Sequence, residues 1–254
     1  MSAGGGTRLT GRRAIVTGAS SGIGADTARA FVHEGASVAL MERREHLLDD
    51  LARELGDGAV SIGVDVRDPD AVARAVAEAD SQLGGLDVVV NSAGVDMPAA
   101  LADLDAAEWR RVIDVNLSGS FYVAREAALR MMASGGGSIV NLGSELSSIG
   151  MGMYVHYCAS KAGVIGMTRA MAAELAPTVR VNAVCPGPVD TPMMDAELEF
   201  LGGTEAIRAE AFARVPMGRF ATPEEVAASI VYVVADAPFA TGMALALDGG
   251  TTVV

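Results

Sequence analysis

The chain has 254 residues, 50% hydrophobic and 20% charged, with a formal net charge of −13. That length suits one large domain or two small ones, and the apolar share is ample for a core, which excludes a disordered chain. The acidic balance argues against a non-specific grip on nucleic acid, which needs a basic face, yet it leaves room for a nucleotide held by backbone N–H groups.

The opening MSAGGGTRLTGRR has no apolar signal core and reads as a flexible tail over residues 1–10, ahead of a single domain over 11–254. No apolar run reaches the ~18 residues of a membrane span, so no membrane partner is expected. Cys158 and Cys185 make neither a disulfide framework nor a CxxC pair. Two reduced thiols, a cytoplasmic location and no metal site are expected.

Short apolar runs alternate with helical ones along the chain. RRAIVTG (12–18) is a strand that stops at glycine, and SVALM (37–41) is a second. Leu47, Leu51 and Leu55 then share one helical face. AVSIGVD (59–65) is a third strand, followed by Asp68–Pro69, an N-cap with proline at the first helical position. LDVVVN (86–91) precedes a long helical pattern over 105–132, and SIVNLG (138–143) precedes another over 154–176. After RVNAVC (180–185) the stretch 191–221 interrupts the alternation and reads as a mobile substrate-loop excursion. Thr222-Pro223-Glu224-Glu225 is a capping box, and MALALD (243–248) is the last strand. Near-continuous apolar strands between helices predict a parallel sheet buried on both faces, a doubly wound α/β fold in a single domain.

The first strand runs into Thr17-Gly18-Ala19-Ser20-Ser21-Gly22-Ile23-Gly24. Glycines serve where the backbone turns sharply, approaches a pyrophosphate, or packs helix on strand. The G-x-x-x-G-x-G spacing is also compatible with an ordinary βα turn, and the missing Gly-Lys-Ser/Thr end disfavours an NTPase phosphate loop. Glu42 ends the second strand, where a carboxylate can accept from both ribose hydroxyls of adenosine and repel a 2′-phosphate. Arg43 and Arg44 follow it and could bind that phosphate or simply start a solvated helix. NAD is favoured and NADP stays open.

Tyr157 and Lys161 stand four apart and share a helix face. A phenol is ordinarily too weak an acid for proton transfer at neutral pH, and a neighbouring cation lowers its pKa. Ser144, at the end of the fifth strand, can hydrogen-bond a substrate oxygen. Asn116 lies inside EWRRVIDVNLSGSF, where Asn is a poor helix residue, and could bend the helix or hold a water. Taken singly, Ser144 or Asn116 could equally be a cap or a kink.

Together these residues resemble the short-chain dehydrogenase/reductase family from Arg12 to Gly250. The matching segments are TGASSGIG at 17–24, Asp65-Val66, Asn91-Ser92-Ala93-Gly94, Asn116, Ser144, Tyr157 with Lys161, Pro186-Gly187 with Thr191, and Asp248-Gly249-Gly250. Ser92 stands where the second Asn is more usual, and Glu42 where Asp is commoner. The resemblance implies a single-domain, three-layer Rossmann-like fold with a seven-stranded parallel sheet, usually a homotetramer. It also implies reversible hydride transfer between a nicotinamide cofactor and an alcohol or ketone.

By position, it implies that Tyr157 exchanges the proton, Lys161 lowers the Tyr157 pKa and binds the nicotinamide ribose, Ser144 orients the substrate oxygen, and Asn116 anchors a water. It places Gly18, Ser20, Ser21, Gly22, Ile23, Gly24, Glu42 and Arg43 on the cofactor. Asp65 and Val66 are expected at adenine, Asn91, Ala93 and Gly94 on the adenosine ribose side, and Pro186, Gly187, Val189 and Thr191 near the nicotinamide.

Leu146, Met151, Met153, Met193 and Met194 are expected, with Ser144 and Tyr157, to form the substrate wall, although the methionines could equally be packing residues. No Arg or Lys lies between Ser144 and Tyr157 or just after Pro186. A neutral, moderately apolar alcohol or ketone is therefore expected. His156 points away from Tyr157 on the helix and is not expected to act. The alternatives are an NADP(H)-linked 3-oxoacyl-thioester reductase and a non-catalytic nucleotide-sensing regulator on the same fold.

Overall fold

A computed structural model describes residues 7–253. Strands and helices alternate as β1 (Arg13–Thr17), α1 (Gly22–His33), β2 (Ser37–Glu42), α2 (Asp49–Leu55), β3 (Ala59–Gly63), α3 (Pro69–Leu83), β4 (Val88–Asn91), α4 (Ala106–Ile113), α5 (Ser120–Ser134), β5 (Gly137–Leu142), α6 (Val155–Leu175) and β6 (Val179–Pro186). α7 (Pro192–Phe200), α8 (Glu205–Ala213), α9 (Pro223–Ala235) and β7 (Ala244–Leu247) complete the chain. The seven strands form one sheet in the order β3-β2-β1-β4-β5-β6-β7. All pairs are parallel, as β1 with both β2 and β4 illustrates. The chain reverses its winding between β1 and β4, and a crevice opens there at the C-terminal strand ends.

Two apolar layers flank the sheet. In β1, Ala14 and Val16 face one layer with Phe31 of α1, Leu51 of α2 and Ile230 of α9. Ile15 faces the other with Val76 of α3, Val123 of α5 and Ala172 of α6. Burial on both sides explains why the central strands read as continuous apolar runs. Completely burying a side chain such as Phe31 contributes roughly 1.5–3 kcal/mol. The edge strands β3 and β7 depart from this pattern and are only partly covered.

Local signals fall where the sequence put them. Asp68 caps α3 by accepting from the N–H groups of Asp70 and Ala71, and Thr222 with Glu225 forms a capping box on α9. The leucine stripe keeps Leu51 and Leu55 on the core and departs only at its first position. Leu47 closes a tight turn and is 38% exposed, while Leu48 takes the core position at 0%.

The flexible tail expected over 1–10 is corrected in part. Residues 1–6 lie outside the described residues. Thr7–Thr10 form a docked turn in which Leu9 is 1% exposed and donates its N–H to the Glu34 carbonyl. The Arg8 guanidinium pairs with Glu34, because a short turn can cap the open end of a helix with both apolar and ionic contacts. The 191–221 stretch is likewise not irregular. It folds as α7 and α8, which share a small core of Leu198, Val215 and Phe220 with Phe212 stacked edge-on against Phe220. No helix among the described residues is long and apolar enough to cross a membrane.

Candidate active site

The turn after β1 needs its glycines. Gly18 and Gly22 have φ of +65° and +53°, a region that favours glycine. A Cβ on Gly18 would lie 2.8 Å from the Ala93 Cα, and one on Gly24 would lie 2.2 Å from the Gly18 carbonyl oxygen. Gly24 therefore packs α1 onto the turn rather than facing a ligand. Ser21 precedes α1 in an extended conformation and makes no side-chain cap. The first-turn N–H groups of α1 are thus left for an anion.

That turn borders a cavity of about 370 Å³ lined by Gly18, Ser20, Ser21, Gly22, Ile23, Glu42, Arg43, Asp65, Val66, Ala93, Gly94 and Thr191. Glu42 is half-buried there and accepts from the Ser20 hydroxyl at 2.9 Å and the Arg44 N–H at 3.3 Å. Arg44 also pairs with it at 3.6 Å. Asp65 is ion-paired with Arg67 at 2.6 Å, whose hydrogen bonds hold its carboxyl below the usual range. The donor-rich glycine turn and the acceptor-rich end of β2 fit the two ends of an adenosine diphosphate moiety.

Asn91 is not part of that lining. It is 3% exposed, and its amide donates to the Ser120 carbonyl and to Asn141 Oδ1 across the sheet. It points inward from β4 because the side chains of adjacent strand residues alternate between faces. Asn116 is 1% exposed. It lies in a π-helical turn, Asp114–Gly119, between α4 and α5. Its side chain is committed to the Val95 N–H (2.8 Å), the Val95 carbonyl (2.9 Å) and Ser160 Oγ (3.2 Å).

A second cavity, about 570 Å³, adjoins the first and shares Ile23, Ser92, Gly94, Thr191 and Met193 with it. Ser144, Tyr157 and Lys161 all line it, with Leu146, Met151, Met194, Pro186, Gly187 and Val189. Ser144 ends β5, and its hydroxyl accepts from the Leu146 N–H, which leaves its own proton to donate. Lys161 is 6% exposed and donates to the Leu142 carbonyl at 2.9 Å. Its Nζ is 5.5 Å from the Tyr157 ring centre. Thr191 caps α7 by accepting from the Met194 N–H.

Met153 does not line the cavity. Its φ of +71° turns it outward, and it is 38% exposed. His156 is fully buried and bonds the Met97 carbonyl.

Burial pushes the Tyr157 phenol up, and the charges of Asp96, Glu197 and Glu145 push the same way, while the Ser144 hydroxyl opposes them. Burial lowers Lys161 to about 8, against the pull of Asp96. The acidic side chains Asp96, Glu145 and Glu197, together with Tyr154 and Arg214, also line this cavity and were missed from sequence. Arg214, the residue after α8, brings a basic group to the cavity from outside the two stretches without Arg or Lys. Helical spacing could have flagged Tyr154, three before Tyr157, and Glu197, four after Met193.

A family model described as Enoyl-(Acyl carrier protein) reductase matches residues 18–252. The chain is 44% identical to cis-4-hydroxycyclohexanecarboxylate dehydrogenase of Sinomonas cyclohexanicum, over 96% of this chain and 97% of that one. It is 41% identical to galactitol 2-dehydrogenase (L-tagatose-forming) of Cereibacter sphaeroides, over 97% of each. Among solved structures it is similar to a putative short-chain alcohol dehydrogenase from Sinorhizobium meliloti 1021. That match has a TM-score of 0.89 and 38% identity and covers 96% and 97% of the two chains. The chain belongs to the short-chain dehydrogenase/reductase family and is an oxidoreductase that exchanges hydride between a nicotinamide cofactor and an alcohol or ketone.

Proposed function

We propose that the protein oxidises a neutral secondary alcohol with NAD⁺, in a reversible reaction, with Tyr157 exchanging the proton. One observation carries this reading: Ser144, Tyr157 and Lys161 line a single cavity continuous with the cleft that Glu42 borders. A bound nicotinamide supplies the hydride acceptor in one direction and the hydride donor in the other. Ser144 donates its free proton to the substrate oxygen and fixes its position. Tyr157 takes the alcohol proton as the carbon–hydrogen bond breaks, and returns it in the reverse direction. Lys161, whose Nζ is 5.5 Å from the Tyr157 ring centre, works against the burial that raises the phenol and would hold the nicotinamide ribose. Gly18, Ser20, Ser21, Gly22 and Ile23 cradle the pyrophosphate. Asp65 and Val66 meet adenine, and Val189 and Thr191 meet the nicotinamide.

The preference for NAD rests on Glu42, whose carboxylate would accept from ribose hydroxyls and meet a 2′-phosphate with like charge. Arg43 and Arg44 line the same cavity and favour the alternative, an NADP(H)-linked 3-oxoacyl-thioester reductase. Arg44 is already engaged by Glu42, which weakens that alternative.

The α7–α8 segment, with its own small core, is the element that moves to admit substrate. Exposed Phe121, Leu129 and Met132 on α5 support assembly as a homotetramer. Two unpaired thiols support a cytoplasmic location. The test is a panel of secondary alcohols and ketones with each cofactor, following NAD(P)H absorbance. Turnover with NAD⁺ supports the reading, and cofactor binding without turnover on any panel member contradicts it.

A further inference from the structure

The cavity around Tyr157 is also lined by acidic and phenolic groups that proton exchange does not use, of which Glu145 already accepts from the Thr251 hydroxyl. Asp96 comes from the loop after β4, Tyr154 from the start of α6, and Glu197 from α7. Tyr154 is 6% exposed and donates its hydroxyl to Glu197 Oε1. Asp96 Oδ1 accepts from the Met97 N–H at 2.8 Å, and Oδ2 has no donor among the described residues. Neither carboxyl belongs to an ion pair among the described residues. Lys161 and Arg214 line the same cavity but pair with neither carboxyl, and two carboxyls drawn into a largely buried cavity are costly unless donors reach them.

The chemistry of the pair points to the missing donor. Burial, and then the Glu197 charge, push Asp96 up to about 7, and burial raises Glu197 against the Tyr154 hydroxyl. Around neutral pH the pair therefore presents both acceptor oxygens and an acid proton. A hydroxyl group, which donates and accepts, matches both. An ammonium only donates, and a carboxylate would be repelled. Lys161 in the same cavity is 6% exposed and uses one of its three donors on a carbonyl, and the others serve the nicotinamide ribose under the reading above.

We infer that Asp96 and Glu197, the latter held by Tyr154, recognise a second hydroxyl on the substrate, so that the protein selects a polyol over a simple secondary alcohol. The inference rests on the reading that Ser144 and Tyr157 hold the reacting oxygen.

The experiment compares sec-butanol, the vicinal butanediol and the amino alcohol of the same skeleton, with NAD⁺ and NADP⁺, on the wild type, Asp96→Asn and Glu197→Gln. The expected result is kcat/KM at least ~10-fold higher for the diol than for sec-butanol, since a hydrogen bond to a charged group contributes about 1.5–3 kcal/mol. Each variant should cut that diol-to-alcohol ratio at least ~5-fold, chiefly through KM. A wild-type ratio near one, or a ratio unchanged in both variants, overturns the inference. A preference for the amino alcohol overturns it in favour of a cation site. Turnover of none of the three by the wild type sinks the underlying reading itself, and the inference with it.

Discussion

The Asn116 side chain clasps Val95 at both ends of its backbone, accepting from its N–H at 2.8 Å and donating to its carbonyl at 2.9 Å. This brace ties the π-helical turn to the loop after β4, which carries Gly94 into both cavities. Asn116→Ala should leave both Val95 groups without partners, at about 1–3 kcal/mol for each buried group. The urea midpoint should fall measurably, and kcat should fall with it because Gly94 and Asp96 lose their anchor. An unchanged midpoint would contradict the brace.

Leu9 is a core residue despite its place near the start of the chain. Leu9→Ala should cost about 2–5 kcal/mol, as for other buried leucines. Chemical denaturation of the variant against wild type measures this, and a loss under about 0.5 kcal/mol would mean the turn is not docked.

Asp96 gives the protein a pH-dependent stability. Its carboxyl titrates near 7 in the folded chain instead of at 3.8, chiefly through burial and then through the Glu197 charge. The folded state therefore holds that proton more tightly across this window. The contribution is fully present below about pH 4 and is lost as pH rises through 7. Asp96→Asn has no proton to lose. Near pH 4 the variant and wild type should unfold alike on this account, and near pH 8 the variant should be more stable by on the order of 1–3 kcal/mol. Thermal unfolding at the two pH values checks the difference, and its absence would show that Asp96 is well solvated.

Glu42 should set cofactor choice. The wild type should use NAD⁺ with kcat/KM at least ~10-fold above that for NADP⁺, and Glu42→Ser should narrow the gap by a similar factor, about 1.4 kcal/mol. Initial rates with both cofactors decide the matter. A tenfold preference of the wild type for NADP⁺ would overturn the role given to Glu42.

What could be read from the chain is what is encoded locally. Each central strand is apolar because both its faces are covered, as Ala14, Ile15 and Val16 show, and the caps at Asp68 and Thr222 need only their own next residues. The glycine turn, Glu42 and the Tyr157–Lys161 pair also lie within short segments. What escaped is non-local. Asp96, Tyr154 and Glu197 come from three separate segments and meet only when α7 folds over the cavity. Leu9 is buried by α1, which its own neighbours do not announce. Asn91 is turned inward by strand alternation, which the period-two pattern of β4 already carries, whereas Met153 is turned outward by one left-handed residue that spacing does not announce.

The central claim is that Tyr157 moves the proton, and turnover by Tyr157→Phe tests it most directly. The ring keeps its packing and loses only the hydroxyl that lines the cavity. With a substrate the wild type oxidises, kcat should fall about 10²–10⁴-fold, the usual share of general acid–base catalysis. NADH binding, followed by fluorescence titration, should stay within about threefold, under 1 kcal/mol. Turnover by Tyr157→Phe at the wild-type rate would contradict the account.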